Sequence, residues 1–259
     1  MECGCAMRIL ALLVLSLCLP ACNCAQYTSY GHSGIASTIL VSAPNIQNST
    51  TNWGSCGSTA CAGGAGNSSA LTQTTGIASP SVSGASMSLA FASPASGNNA
   101  LWWNKPGNCD ACTWAQMDIY AYVPTGVANY EFDQFMITPT LDGSFGHQCN
   151  TITGFWQYAT QTSAWTDSAI ACSLTTGAWH HLVFNDSWNP ADTSCGGKPT
   201  QRFGSITIDG VVHSWGVTAC AEAIPVGWTH TVGCQVQMDS SSNATLTEYI
   251  DNANCSFGI

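Results

Sequence analysis

Glu131 and Asp133 are the residues of this sequence best placed to do chemistry. They lie two apart in Tyr130-Glu131-Phe132-Asp133-Gln134-Phe135, and in a strand residues i and i+2 share a face. Two carboxylates on one face repel each other and hold water, so they belong in solvent or in a polar groove. If the chain is an enzyme, these two are the catalytic candidates. Retaining hydrolysis of a glycosidic bond needs a nucleophile and a separate general acid, about 5 Å apart. If it only binds, the same pair can accept from sugar hydroxyls, beside Gln148 and Gln237. Sugar rings also present flat C–H faces that stack on exposed indoles. Trp102-Trp103 are adjacent, so one must turn away from the core, and the same holds for Phe155-Trp156. Trp103 and Trp156 are therefore the expected stacking platforms. Trp165 and Trp188 fall in segments that read as loops.

Other clusters carry weaker chemistry. Asn185-Asp186-x-x-Asn189-x-x-Asp192 offers oxygen donors, of which Asp186, Asn189 and Asp192 are the candidates for calcium, the one ion that the sequence suggests. Turn-forming Asn and Asp account for the same spacing. Cys56-x4-Cys61 and Cys109-x2-Cys112 could form a four-cysteine zinc site, but the spacing is loose, and two local disulfides fit an oxidising compartment better.

The elements that must position these groups follow from composition. Of 259 residues 45% are hydrophobic and only 7% charged, with 10 Trp, 8 Phe and 7 Tyr, which excludes disorder. Four Lys+Arg and 14 Asp+Glu are too few to solvate amphipathic helices, whereas Ser, Thr, Asn and Gly favour strands and turns. The expectation is an all-β protein. Ser86 to Phe91 alternates with period two, and further strand signals run from Met117 to Val123, Tyr130 to Ile137, Thr153 to Tyr158, Trp179 to Asn185, Gly204 to Asp209, Cys234 to Asp239 and Glu248 to Phe257. Asp209-Gly210 between Ile206-Thr207-Ile208 and Val211-Val212-His213 predicts a two-residue hairpin. The net charge of −10 excludes nucleic acid as a partner.

Residues 1–25 read as an export signal: Met7-Arg8, then an apolar run through Leu17 that is too short to span a bilayer. Two processing readings stay open. Cleavage after Ala25 releases a soluble secreted protein, while Leu19-Pro20-Ala21-Cys22 resembles a lipobox that would anchor an outer-surface lipoprotein through Cys22. No other run is long enough to cross a membrane. Of the 15 cysteines, five lie in or beside the signal and ten remain, an even number that suits a disulfide framework. Cys149 with Cys172 is the expected longer bridge, and Cys195 with Cys220 and Cys234 with Cys255 follow by elimination.

Gly177-Ala178-Trp179-His180-His181-Leu182-Val183-Phe184, followed by Ser205-Ile206-Thr207-Ile208-Asp209-Gly210, resembles a laminin-G-like pattern. Tyr130 to Phe135 and the closing Tyr249-Ile250-Asp251-Asn252 resemble concanavalin A-like lectin/glucanase jelly rolls. The resemblance spans most of residues 84–259. It implies a two-sheet antiparallel jelly-roll sandwich over residues 26–259, whose concave face binds or cleaves polysaccharide in relatives, and it implies structural roles for His180 and His181. It resembles the laminarinase-type β-glucanases, whose motif Glu-x-Asp-x-x-Glu supplies nucleophile, tuning Asp and acid/base. Glu131 and Asp133 match the first two positions, but Met136 stands at the third, and a thioether donates no proton. A glycoside hydrolase would need a rearranged acid/base, with Glu248 or Asp251 as alternative carboxylates. A polysaccharide lyase of this fold would draw on His147-Gln148, Gln235-x-Gln237 and Tyr158, yet beyond the signal the chain has only Lys105, Lys198 and Arg202 to neutralise an acidic polymer. The expectation is therefore an extracellular protein that binds a neutral or weakly charged glycan, with an enzyme second and a surface or adhesion protein without a sugar site third.

Overall fold

The chain is described by a computed structural model over residues 38–57, 69–93, 96–160, 163–189, 191–192, 194–224 and 228–259. The expected export signal with Cys22, and Cys61, lie outside the described residues. In the first sheet are β1 (Ile39–Ala43), β3 (Ser69–Ile77), β4 (Ser86–Ser93), β6 (Trp114–Tyr122), β11 (Trp179–Asn189), β12 (Thr200–Ile208), β13 (Val211–Cys220) and β16 (Ala244–Gly258). The second holds β2 (Trp53–Gly57), β5 (Asn99–Gly107), β7 (Val127–Ile137), β8 (Leu141–Asn150), β9 (Phe155–Ala159), β10 (Thr166–Ala171), β14 (Glu222–Ala223) and β15 (Thr231–Ser240). The orders are β13-β12-β11-β6-β16-β4-β3, with β1 on β16, and β10-β9-β8-β7-β15-β5-β2, with β14 on β8. Every pairing is antiparallel, and the chain passes repeatedly between the sheets, at β1 to β2, β2 to β3, β4 to β5, β5 to β6, β6 to β7, β10 to β11, β13 to β14 and β15 to β16. This is the expected two-sheet antiparallel jelly-roll sandwich.

Alternation builds the core. Met117, Ile119 and Ala121 of β6 and Leu182 and Phe184 of β11 point inward, as do Phe132 of β7, Phe145 of β8 and Trp156 of β9. Phe132 and Phe184 meet across the two sheets with ring centroids 5.3 Å apart. The hairpin forms as expected: Asp209 (φ 49°) and Gly210 (φ 85°) both take the left-handed backbone that a two-residue primed turn requires. Asp209 also accepts from the His181 backbone N–H (2.9 Å) and lies 2.7 Å from His180 Nδ1, while His181 Nε2 lies 2.8 Å from Asp118, so both histidines serve the fold.

Cysteine pairs 109–112, 149–172, 195–220 and 234–255 form as expected. With Cys109 and Cys112 joined to each other, the zinc arrangement is excluded; Cys56 is likewise disulfide-bonded. Cys234–Cys255 joins β15 of one sheet to β16 of the other.

One expectation needs correction, and one strand carried no sequence signal. Asp186 and Trp188 belong to β11 rather than to a loop, and both are buried; the Trp188 indole N–H donates to the Cys112 carbonyl at 2.6 Å. Leu141–Asn150, which carries the turn-like pair Asp142-Gly143, is a full strand.

Ionisable groups are sealed between the sheets. His147 Nδ1 is 3.0 Å from the Phe132 carbonyl and Nε2 is 3.1 Å from Asp186 Oδ2. Nδ1 thus faces a carbonyl, which only accepts, and Nε2 faces the Asp186 carboxyl. Burial pulls the His147 pKa down, but the Asp186 charge and hydrogen bond, with the Phe132 carbonyl, outweigh it and hold the pKa above the ordinary value. Glu248 is fully buried beside the Tyr130 phenol, and burial pushes its carboxyl up to about 8. It is protonated in the fold at neutral pH and ionised once unfolded. Stability is therefore lost as pH rises from about 4.5 towards about 8. Glu248→Gln is expected to stabilise the fold at pH 7 by on the order of 2–3 kcal/mol, seen as a higher melting temperature, and to change nothing at pH 4. Differential scanning calorimetry across that range checks it, and an equal effect at both pH values would contradict it.

Candidate functional site

The outer face of the second sheet gathers most of the polar residues singled out above. On β7 the inward positions are Tyr130, Phe132, Gln134 and Met136, which leaves Asn129, Glu131, Asp133 and Phe135 outward. Register then fixes the neighbours. Glu131 pairs with Gln148 on β8 and Gln237 on β15, and Gln148 pairs in turn with Gln157 on β9 and that with Asp167 on β10. One step along the strands, Gly146, Asp133, Gln235, Trp103 and Gly54 form a second row across β8, β7, β15, β5 and β2. The step in the other direction aligns Phe155, Asn150, Asn129, Asp239 and Asn99.

Hydrogen bonds fix these side chains against one another. Gln235 donates to Asp133 Oδ2 (2.6 Å), Gln148 and Asn150 donate to Gln157 Oε1 (2.7 and 3.2 Å), and Gln157 donates to Asp167 (2.7 Å). Asp239 accepts from Asn129 (2.9 Å) and Gln237 (3.0 Å). Glu131, only 7% exposed, shares a hydrogen bond with Asp133. Burial drives the Glu131 pKa well up, followed by the charge of Asp133, their mutual hydrogen bond and the charge of Asp239. Burial also raises Asp133, to about 6, against the hydrogen bond from Glu131, the His147 charge and backbone N–H, and Gln235. Burial thus raises both carboxyls, and the charge on Asp133 opposes ionisation of Glu131.

Indoles flank this floor. Trp103 lies over Gly54 and is half-buried; Lys105 Nζ stands 5.6 Å from its ring centroid and 6.0 Å from that of Phe135. The half-buried Trp165 reaches over Gly146, beside Asp133.

Several expected residues go elsewhere. Trp156 is 0% exposed in the core, packed among Phe132, Phe184 and Trp215, so it cannot stack on a ligand; its neighbour Phe155, 41% exposed, is the outward one. Met136 faces the core and Phe135 takes the outward position, so neither register supplies the third carboxylate of the glucanase motif. Glu248 is inside the sandwich, and Asp251 is consumed by Ser81, Val82 and Ser83, which give it four hydrogen bonds of 2.6–2.8 Å. His147 and Tyr158 point inward, Tyr158 towards Phe203 and Trp215, so the lyase set never assembles. Nor do the calcium candidates converge. Asp186 faces His147 in the core, Asn189 caps Ala191, and Asp192 binds Ser194 and Thr200. Among the described residues no group of three or more His, Cys, Asp or Glu could hold a metal ion.

Asn129, Gln157 and Asp239 were not singled out from sequence. Their signal was the alternation itself, with Asn129 two before Glu131 and Asp239 two after Gln237.

No protein-family model and no curated protein matches the chain. Among solved structures, an alginate lyase from Chlorella virus is similar at 6% identity, covering 85% of this chain and 100% of its own, with a TM-score of 0.48. A cellulose-induced protein is 12% identical over 80% of this chain and 92% of its own (TM-score 0.46). A carbohydrate-binding module of the β-sandwich superfamily is 10% identical over 80% and 58% (TM-score 0.40). No helix among the described residues is long and apolar enough to cross a membrane.

The burial of this pair makes a direct prediction. In a ¹³C carboxyl NMR titration Asp133 should ionise near pH 6 and Glu131 well above the ordinary glutamate range; both ionising near pH 4 would contradict it.

Proposed function

We propose that this chain is an exported protein that binds a neutral or weakly charged glycan on the outer face of its second sheet. The observation that carries the reading is the row of Asp133 and Gln235 between the Trp103 and Trp165 indoles, with Gln148, Glu131 and Gln237 beside it. Amides and carboxyls held by one another are preset to exchange hydrogen bonds with hydroxyls, and half-exposed indoles supply apolar contact for C–H faces. Lys105, with its ammonium beside Trp103 and Phe135, is the one cation that this face is shown to carry, which suits an uncharged ligand. The disulfides among the described residues fit a protein exported to an oxidising compartment.

One observation favours cleavage as a second reading. Burial raises the Glu131 carboxyl well above its ordinary range, and it stands close to two other carboxyls, Asp133 and Asp239, an arrangement that suits a general acid beside a base.

A glycan array run in parallel with an assay for released reducing ends separates these readings. The expected result is binding without release, weakened about tenfold or more by Gln237→Ala and by Asp133→Asn, with the Glu248→Gln variant binding as the parent does. Release abolished by Glu131→Gln would establish the enzyme instead. Silence in both assays would leave a structural protein.

A further inference from the structure

Resting on the glycan reading, we propose that the site takes a linear oligosaccharide of roughly three or more rings running across the strands. Its two ends are Trp103 and Trp165, each held down by a glycine that is present for that purpose. Both seats, Gly146 and Gly54, lie on the single cross-strand row that runs through Asp133, Gln235 and Trp103. Four strand spacings, about 19 Å, separate them. One sugar ring cannot bridge that span, while a short chain laid along the row meets an indole at each end and the Gln235–Asp133 pair between.

The glycines mark this as a built arrangement. Neither Gly54 nor Gly146 adopts positive φ, so conformation does not require them. Space does. A Cβ on Gly54 would meet Cε2, Nε1 and Cζ2 of Trp103 at 2.5, 2.5 and 2.6 Å. A Cβ on Gly146 would meet Trp165 Cη2 at 2.9 Å and the Ala159 carbonyl oxygen at 3.1 Å. The Nε1–Cε2–Cζ2 edge of the Trp103 indole thus occupies the space over Gly54 on β2. Glycines also seat rings elsewhere, Gly143 under Trp188 and Gly233 under Phe135, but those rings are buried, at 5% exposure each, and serve packing. Three seated rings stay half-exposed: Trp103 and Trp165 on this face, and Trp114 over Gly258 in the first sheet, where a Cβ would first meet the Thr38 carbonyl oxygen. A glycine within a strand weakens it, so seating a ring that remains open to solvent implies a use for the ring.

Isothermal titration of the full chain with cello-, laminari-, xylo- and manno-oligosaccharide ladders of one to six rings tests this. On the ladder that binds, affinity should rise at least tenfold between one ring and three or four, then level off. Trp103→Ala and Trp165→Ala should each flatten that rise. Gly54→Ala should weaken the trisaccharide severalfold in the parent and have no effect in a Trp103→Ala background, because the seat acts only through its ring. Equal affinity for one ring and four would overturn the inference and leave the glycan reading standing, as would additive losses from Gly54→Ala and Trp103→Ala. Failure of every ladder to bind would remove both.

Discussion

The two sheets are held in relation by a histidine and a carboxyl that water does not reach. His147 of β8 lies between the Phe132 carbonyl and the Asp186 carboxyl of β11, ringed by Phe184, Phe203 and Trp215. Such a pair adds little net stability over an apolar replacement, but losing one partner strands a polar group in the core, so the sheets cannot slide past one another cheaply. Gln134 donating to the Phe184 carbonyl (3.1 Å) and Gln201 to the Ser144 carbonyl (2.9 Å) fix the same offset on either side. The consequence reaches the surface. Charge on His147 favours the ionised form of Asp133 on the outer face, so the residue that locks the interior also bears on the carboxyl outside.

What was legible in the sequence was what alternation dictates. Glu131 and Asp133 share a face because strands have period two, and the Asp209-Gly210 hairpin is where its residues place it. The disulfides followed from cysteine number and spacing. What alternation alone cannot say is which of its two phases faces inward. Phe155 and Trp156 were such a case, and burial of the larger indole, beside Phe132 and Phe184, settled it against a surface role.

The strand β8 shows why other parts were not legible. Asp142-Gly143 carries the local chemistry of a turn, and Gly146 reads as a second break. Both glycines are there because an indole, Trp188 or Trp165, occupies the space that a Cβ would need. The partner rings come from distant sequence, so nothing local distinguishes a glycine that bends the chain from one that makes room. The same long-range dependence hid Asp186, whose polar neighbours suggested a loop until its partner His147 was seen across the core. Gln157 and Asp239 lie on strands that sequence had found, but only register puts them next to Gln148 and Glu131.

The bond between Cys234 and Cys255 has a mechanical meaning. Strand β16 lies at the middle of its sheet, between β4 and β6, and Cys255 near its far end is tethered to the strand next to β7 in the opposite layer. Tension drawn along β16 cannot peel it away by breaking its ladder one rung at a time, because the load passes at once through the covalent link into the other layer. The molecule would resist shear as one body, and reducing that single bond would turn a clamp into a zipper.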